Sequence, residues 1–362
     1  MAFNGSGLFV INSAGQPVVA STLIQSSVFN ALTADLATGL STCITKDGQT
    51  TPTANIPMGG FRITGLALGT ATTDAARMDN ANALATCEGR LTLTTGVPVT
   101  TADVTAAETL YFTSYRGNRI ALFDGSSWVI RTFTEVSIDV PDVTGVHDVF
   151  AYDNSGSVTL EVLVWTNDTT RATALTTQNG VLVKTGQTSR RYLGTFYSTT
   201  AGNGQIEDSL ANRYLWNYYN RVRRPMRVLE ATDTWAYTTA TVRQANGSTA
   251  NQLNLVIGVS EESVAAQIQA RFSNSSAGVP VVVGVGVDVT NAFTSGGLFP
   301  GASSQVVNLI NACAGEWKGY PGIGKHFLSW NEHSDATGTT TWRGDGGQPT
   351  ITQCGIHGEL FG

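Results

Sequence analysis

Charge is scarce in this chain. Only 13% of its 362 residues are Asp, Glu, Lys or Arg, about half the usual share. Lysine supplies four of the 21 basic residues and arginine the rest. With a net charge of −6 there is no general basic face of the kind that phosphate backbones require, and nucleic acid is not expected as a partner. Cysteine is equally thin. Cys43, Cys87, Cys313 and Cys354 lie far apart with no C-x-x-C pair, which excludes a disulfide framework or a zinc module. Buried free thiols in a reducing compartment are the expectation. No apolar stretch approaches the length of a membrane span; Val281 to Val289 is interrupted by Gly284 and Gly286 and reads as a buried strand. The start Met1-Ala2-Phe3-Asn4-Gly5 lacks the basic and apolar run of a secretory leader.

Catalytic signatures are missing as well. No G-x-S-x-G elbow, P-loop or H-E-x-x-H occurs. The adjacent carboxylates Glu207-Asp208 and Glu261-Glu262 would diverge on a strand, so neither pair straddles a glycosidic bond. Of the four histidines, His147, His326, His333 and His357, the two that lie seven apart fall on opposite faces of a strand. The residues point to a protein that is not an enzyme and takes no cofactor or metal.

Threonine and glycine are abundant, with 50 Thr and 39 Gly. Threonine suits a pleated, half-solvated strand, and glycine suits tight turns. Strand runs recur at Tyr111-Phe112, Ile120 to Phe123, Trp128 to Ile130, Asp148 to Tyr152, Val158 to Trp165 and Val181 to Lys184. They are separated by turn signals at Asp124-Gly125, Asp153 to Gly156, Asn167-Asp168 and Asn179-Gly180. Trp235 to Val242, Leu253 to Val259 and Gly278 to Val289 continue the pattern. Glu261 to Arg271 fits a helix or a bulged strand, and Gln305 to Ala314 is equally ambiguous.

The N-terminal part differs. Residues 7 to 20 suggest two short strands. Beyond Thr22, Val28 or Phe29, Leu32, Leu36 and Leu40 recur at helical spacing. One narrow apolar stripe needs a partner surface. Met58-Gly59-Gly60-Phe61 reads as a turn, and Thr73-Asp74 opens a second helix towards Gly89. Leu91 to Glu108, rich in Thr, Val and Pro, reads as a linker. The expected organisation is 1–90, a linker over 91–108, a middle β domain over 109–228 and a distal, β-rich domain over 229–362. The fold class is mainly β, with a short-helix N-terminal region followed by antiparallel β-sandwich or barrel-like domains. Arg190 to Arg227 holds seven arginines, read as a packed strand with Arg stems over rings or as a ladder between subunits.

Three blocks resemble bacteriophage, podovirus-like tail fibre proteins. The first runs from Ala34-Asp35-Leu36 through Met58-Gly59-Gly60-Phe61-Arg62-Ile63-Thr64-Gly65-Leu66 to Thr73-Asp74-Ala75-Ala76. The second includes Arg190 to Phe196, Gly202 to Asp208 and Arg213 to Pro225. The third joins Gly324 to His333, Thr337 to Asp345 and Cys354 to Gly362. The resemblance implies an elongated homotrimeric fibre of the virion tail, assembled in the host bacterial cytoplasm and anchored on tail adaptor or nozzle proteins. Leu32, Leu36, Leu40, Met58, Gly59, Gly60 and Phe61 fall in the attachment region. It also implies recognition of host cell-surface polysaccharide by the distal domain. Trp330, Trp342, Arg343 and Asp345 are the candidates for contact, with a place in the C-terminal core as their other reading. A head fibre, an adaptor-bound fibre without receptor binding, and a polysaccharide-degrading tailspike are the alternatives.

Overall fold

The computed structural model describes residues 19–21, 23–41, 43–44, 49, 51–61, 63–66, 84–199 and 204–362. They fall into two compact units, Met1–Leu68 and Gly69–Gly362. The strands expected over residues 7 to 20 and the helix expected from Thr73 lie almost wholly outside the described residues.

The first unit holds one helix, Ser26–Ser41. Alanine and leucine favour it. Its hydroxyls are satisfied one turn back, Thr38 Oγ1 to the Ala34 carbonyl at 2.9 Å and Ser41 Oγ to the Ala37 carbonyl at 2.7 Å. Gly39 is buried, and Val28 and Leu32 are half-buried. Phe29, Leu36 and Leu40, on a neighbouring stripe, are exposed by 55, 40 and 69%. A turn follows at Met58–Phe61, closed by Phe61 N–H donating to the Met58 carbonyl at 2.9 Å. Both central residues have positive φ, 58° at Gly59 and 86° at Gly60, a pair of angles that glycine adopts without a Cβ clash.

The second unit is built almost entirely from antiparallel strands. Among the described residues they form a large sheet, a six-stranded sheet, a three-stranded sheet and a two-stranded hairpin. The large and six-stranded sheets face each other over one core containing Phe150, Tyr192, Trp216, Phe272, Trp330 and Trp342. A second core, with Leu91, Leu110, Phe112, Leu122, Val149 and Phe196, lies beneath the small sheet and hairpin. Strands Gly145–Asn154 and Gln187–Ser198 sit between the two cores. Val146, Phe150 and Tyr192 point into the first, and Val149, Ala151, Leu193 and Phe196 into the second. The period-2 alternation of a strand makes that division possible, and a bulge between Tyr192 and Gly194 turns Phe196 to the face opposite Tyr192.

Several expectations need correction. Leu91 to Glu108 is not a linker: Gly89–Thr92 is a strand with every residue buried, paired with Thr109–Ser114. Val104–Ala107 pairs with Ile206–Asp208. The boundary expected at 228/229 is crossed by strand pairing. Asn212–Arg213 lies parallel to Gln252–Ile257, and Arg223–Leu229 pairs along its length with Gly355–Phe361. Glu261 to Arg271 resolves as strand Val264–Asn274, whereas Gln305 to Ala314 is neither helix nor strand over most of its length: strand Asn311–Gly319 begins only near its end, and Val306, Val307, Leu309 and Ile310 are exposed in the turn before it. Within the first of these, Val264, Ala266, Ile268, Ala270 and Phe272 alternate into the core, the period of a strand rather than a helix.

The arginines of Arg190 to Arg227 are largely spent within the chain rather than held for other subunits. Arg190 pairs with Glu161 at 2.6 Å, Arg221 with Glu261 at 2.8 Å, and Arg213 and Arg224 share Asp208 at 2.9 and 2.5 Å. Arg stems do lie over rings, as expected. Arg190 is 3.6 Å from the centroid of Tyr152 and Arg221 5.4 Å from that of Trp216.

Candidate functional site

Two of the four expected contact residues are core. Trp330 and Trp342 are fully buried. Trp330 meets Trp235 edge-on at 6.0 Å, and Trp342 packs on Phe272 at 5.9 Å. Rings enclosed this way have no face to offer a sugar, so both are withdrawn as contact residues. Arg343 and Asp345 are half-buried. Asp345 is occupied in its own turn, Oδ1 accepting from Gly347 N–H at 2.9 Å. The structure does not gather the four into one surface.

Close to Trp330 lies a carboxyl that sequence gave no reason to single out. Glu332 is wholly buried. It accepts from Trp235 Nε1 at 2.8 Å and from Arg243 Nε at 2.8 Å. Burial outweighs both donors and pushes its pKa from 4.5 up to about 7. A neutral carboxylic acid at that pH is the usual equipment of an acid catalyst. Glu332, though, lies in the sheet interior with its oxygens taken by neighbours, a structural position. The folded protein therefore holds a proton that the unfolded chain releases above about pH 4.5. Stability falls as pH rises from about 4.5 to about 7, by on the order of 3 kcal/mol from this group. Melting temperatures measured across that range should drop less steeply in Glu332→Gln than in the parent; equal slopes would refute the assignment.

His326 and His333 occupy opposite faces of Gly324–Ser334, as expected. His326 is buried, with Nδ1 2.7 Å from Asp288 Oδ2. Cys313, opposite Ala270 in the ladder, and Cys354 are buried free thiols. Burial pushes the Cys313 thiol up to about 12. Among the described residues no group of three His, Cys, Asp or Glu is placed to hold a metal ion.

The surface feature best suited to a ligand is a cavity of about 540 Å³ over the paired strands Val264–Asn274 and Asn311–Gly319, lined by Gln267, Gln269, Leu298, Phe299, Pro300 and Glu316 among others. The alternation that buries Ala266, Ile268 and Ala270 turns Gln267 and Gln269 outward. Gln267 faces Glu316 across the ladder, and its Nε2 donates to Glu316 Oε2 at 3.0 Å. The loop above is fastened by reciprocal backbone bonds between Leu298 and Glu316, both 2.8 Å. Phe299 is braced by Phe293 at 5.0 Å. Leu298 nevertheless remains 63% exposed. The result is an apolar wall and a ring edge beside two amides and a carboxylate. Such a surface complements a hydroxylated ring, with apolar C–H faces packed and hydroxyls hydrogen-bonded. Sequence reasoning missed it. The available signal was Leu298-Phe299-Pro300, an apolar island between Gly296-Gly297 and Gly301.

No family model matches the chain, and no curated protein matches it. Among solved structures, the insecticidal delta-endotoxin Cry8Ea1 from Bacillus thuringiensis is similar over 76% of this chain, with 6% identity and a TM-score of 0.22. An isomalto-dextranase of Arthrobacter globiformis T6, complexed with panose, is similar over 70%, with 12% identity and a TM-score of 0.18. The chain spans 52% of the toxin and 36% of the dextranase. Similarity at this level carries nothing about fold or function.

Proposed function

We propose that this chain is a virion structural protein, a homotrimeric tail fibre that binds host cell-surface polysaccharide without turning it over. In this reading its N-terminal unit anchors on tail adaptor or nozzle proteins and its β unit makes the receptor contact. The observation that carries the assembly is the exposed stripe Phe29, Leu36 and Leu40 on Ser26–Ser41. A single 16-residue helix that leaves three large apolar side chains in water gains from association with copies of itself. The Met58–Phe61 turn supports attachment, because its glycine geometry redirects the chain within the same N-terminal unit as the helix. The Gln267–Glu316 cavity supports sugar binding, and repeated weak sites gain strength through multivalency.

Light scattering on the purified chain tests assembly. The expected mass is roughly 115 kDa, three chains of 38.2 kDa. Leu36→Asp with Leu40→Asp should shift it to a single chain without altering the β-sheet circular dichroism. A parent protein that is monomeric at micromolar concentration would sink the reading. For the receptor, virions carrying Phe299→Ala with Gln267→Ala should adsorb to host cells at least tenfold more slowly. Unchanged adsorption would leave a fibre without receptor binding at this cavity.

A further inference from the structure

Arg271 and Arg343 stand directly opposite each other on neighbouring strands, Val264–Asn274 and Thr340–Arg343. The residues beside them, Ala270, Phe272 and Trp342, point into the core, so both arginines rise from the outer face of the six-stranded sheet. Each is half-buried. Arg343 Nε is closed off beneath the surface. Its two Nη atoms and all three nitrogens of Arg271 stay open to water and bind no protein acceptor among the described residues. Residues so opposed have Cβ atoms about 4.5–5.5 Å apart, and like charges at that spacing repel. Among the described ladders no other two Arg or Lys side chains face each other in this way; Arg213 faces Asp208, and Arg243 faces Glu332. Neither Arg271 nor Arg343 forms an ion pair among the described residues. Asp345, two residues beyond Arg343, is turned to Gly347 N–H at 2.9 Å.

The pair adjoins the cavity described above. Gln269, which lines that cavity with Leu298, Phe299 and Ala314, precedes Arg271 by two residues on the same face, roughly 7 Å along the strand. The strand alongside carries only methyl groups there, Ala312 opposite Arg271 and Ala314 opposite Gln269. The loop over the cavity brings no counter-charge, because no Asp, Glu, Lys or Arg occurs from Val289 to Gly315. Glu316 lies at the far end, four residues and about 13 Å from Ala312. The sheet face is therefore polarised, with a carboxylate at one end of the cavity and two open guanidinium groups just past the other.

We propose that the glycan bound here is acidic and alternating. A neutral ring packs on Leu298 and Phe299 with its hydroxyls on Gln267, Gln269 and Glu316, and the carboxylate of the adjoining uronic acid is held between Arg271 and Arg343. The anion follows from the opposed guanidinium groups; the sugar that carries it rests on the proposed recognition of polysaccharide. Guanidinium forks match a carboxylate in geometry as well as charge, and an anion between them removes the repulsion that the empty pair carries.

The test is calorimetric titration of the purified full chain with hyaluronan and heparosan hexasaccharides, in which glucuronate alternates with N-acetylglucosamine, and with their carboxyl-reduced forms. At least one acidic hexasaccharide should bind at least tenfold more tightly than its reduced form. That preference should shrink as sodium chloride rises from about 50 to about 500 mM, since part-exposed charges are screened. Arg271→Gln with Arg343→Gln should bind both forms equally and melt no lower than the parent, because a repulsion has been removed. Ala312→Glu, which sets a carboxylate opposite Arg271, should also erase the preference. Phe299→Ala should weaken acidic and reduced forms alike. No binding of either acidic hexasaccharide, equal binding of the reduced form by the parent, or a preference retained in the double variant would overturn the assignment. A monomeric parent would sink the fibre reading while leaving this site standing.

Discussion

Replacing Trp330 with alanine should unfold much of the β unit rather than weaken adsorption by a folded fibre. The indole is fully buried against Trp235, and truncating such a side chain costs about 3–5 kcal/mol. Domains are stable by only about 5–15 kcal/mol, so a large share of the total is lost. In thermal denaturation the variant should melt roughly 6–20 °C below the parent, taking about 2–4 °C per kcal/mol for a unit of this size. Trp330→Phe should be far milder, within about 1.5 kcal/mol. The Trp330 Nε1–H has no partner among the described residues, and phenylalanine removes that donor together with little volume. Arg343→Ala and Asp345→Ala should stay close to the parent. A Trp330→Ala protein with unchanged melting but impaired adsorption would contradict the buried placement.

The second large effect is expected at Asp208. One carboxylate, 4% exposed, serves two buried guanidinium groups, those of Arg213 and Arg224. Arg224 also reaches the Thr100 carbonyl at 2.9 Å and Arg213 the Pro225 carbonyl at 2.7 Å. The site therefore ties the segment before Thr109–Ser114 to the first residues of strand Arg223–Leu229. Asp208→Asn keeps the shape and removes the charge, leaving two cations in a dry setting. Breaking a buried pair from one side costs about 3–5 kcal/mol. Arg190→Ala, whose partner Glu161 is a quarter exposed, should cost no more than about 1 kcal/mol. If urea unfolding gave the two variants similar free energies, the Asp208 cluster would not hold the unit together as described.

The sequence revealed strands better than it revealed partners. Asn179-Gly180 and Ser155-Gly156 both have positive φ and close hairpins between neighbouring strands. Asp124 likewise caps its turn by accepting from Ser126 and Ser127 N–H, both at 2.8 Å. Local chemistry settles such features, so they could be read. The pairing of Asn212–Arg213 with Gln252–Ile257 depends on packing between segments forty residues apart, and nothing local announces it. The mistaken linker has the same cause. Thr, Val and Pro in Leu91 to Glu108 lack a period because short strands there pair with distant partners. The contact residues failed for a different reason. Tryptophan close to Arg and Asp suits either a sugar platform or a core with hydrogen-bonded edges, and only the burial of Trp330 and Trp342 decides between them. The cavity was out of reach because it is assembled from strands and a loop far apart in the chain.

The seam between Asn212–Arg213 and Gln252–Ile257 has a consequence for how the protein is made. During synthesis Asn212–Arg213 emerges with N–H and C=O groups unpaired where Gln252–Ile257 will later lie. Arg223–Leu229 must wait for Gly355–Phe361, which lies far downstream of it in the chain. The six-stranded sheet therefore closes only after Phe361 has been delivered, a long-range pairing of the slow, exposed kind. A nascent chain stalled near residue 229 would hold a bare sheet edge, and chaperone capture or aggregation would be its ordinary fate.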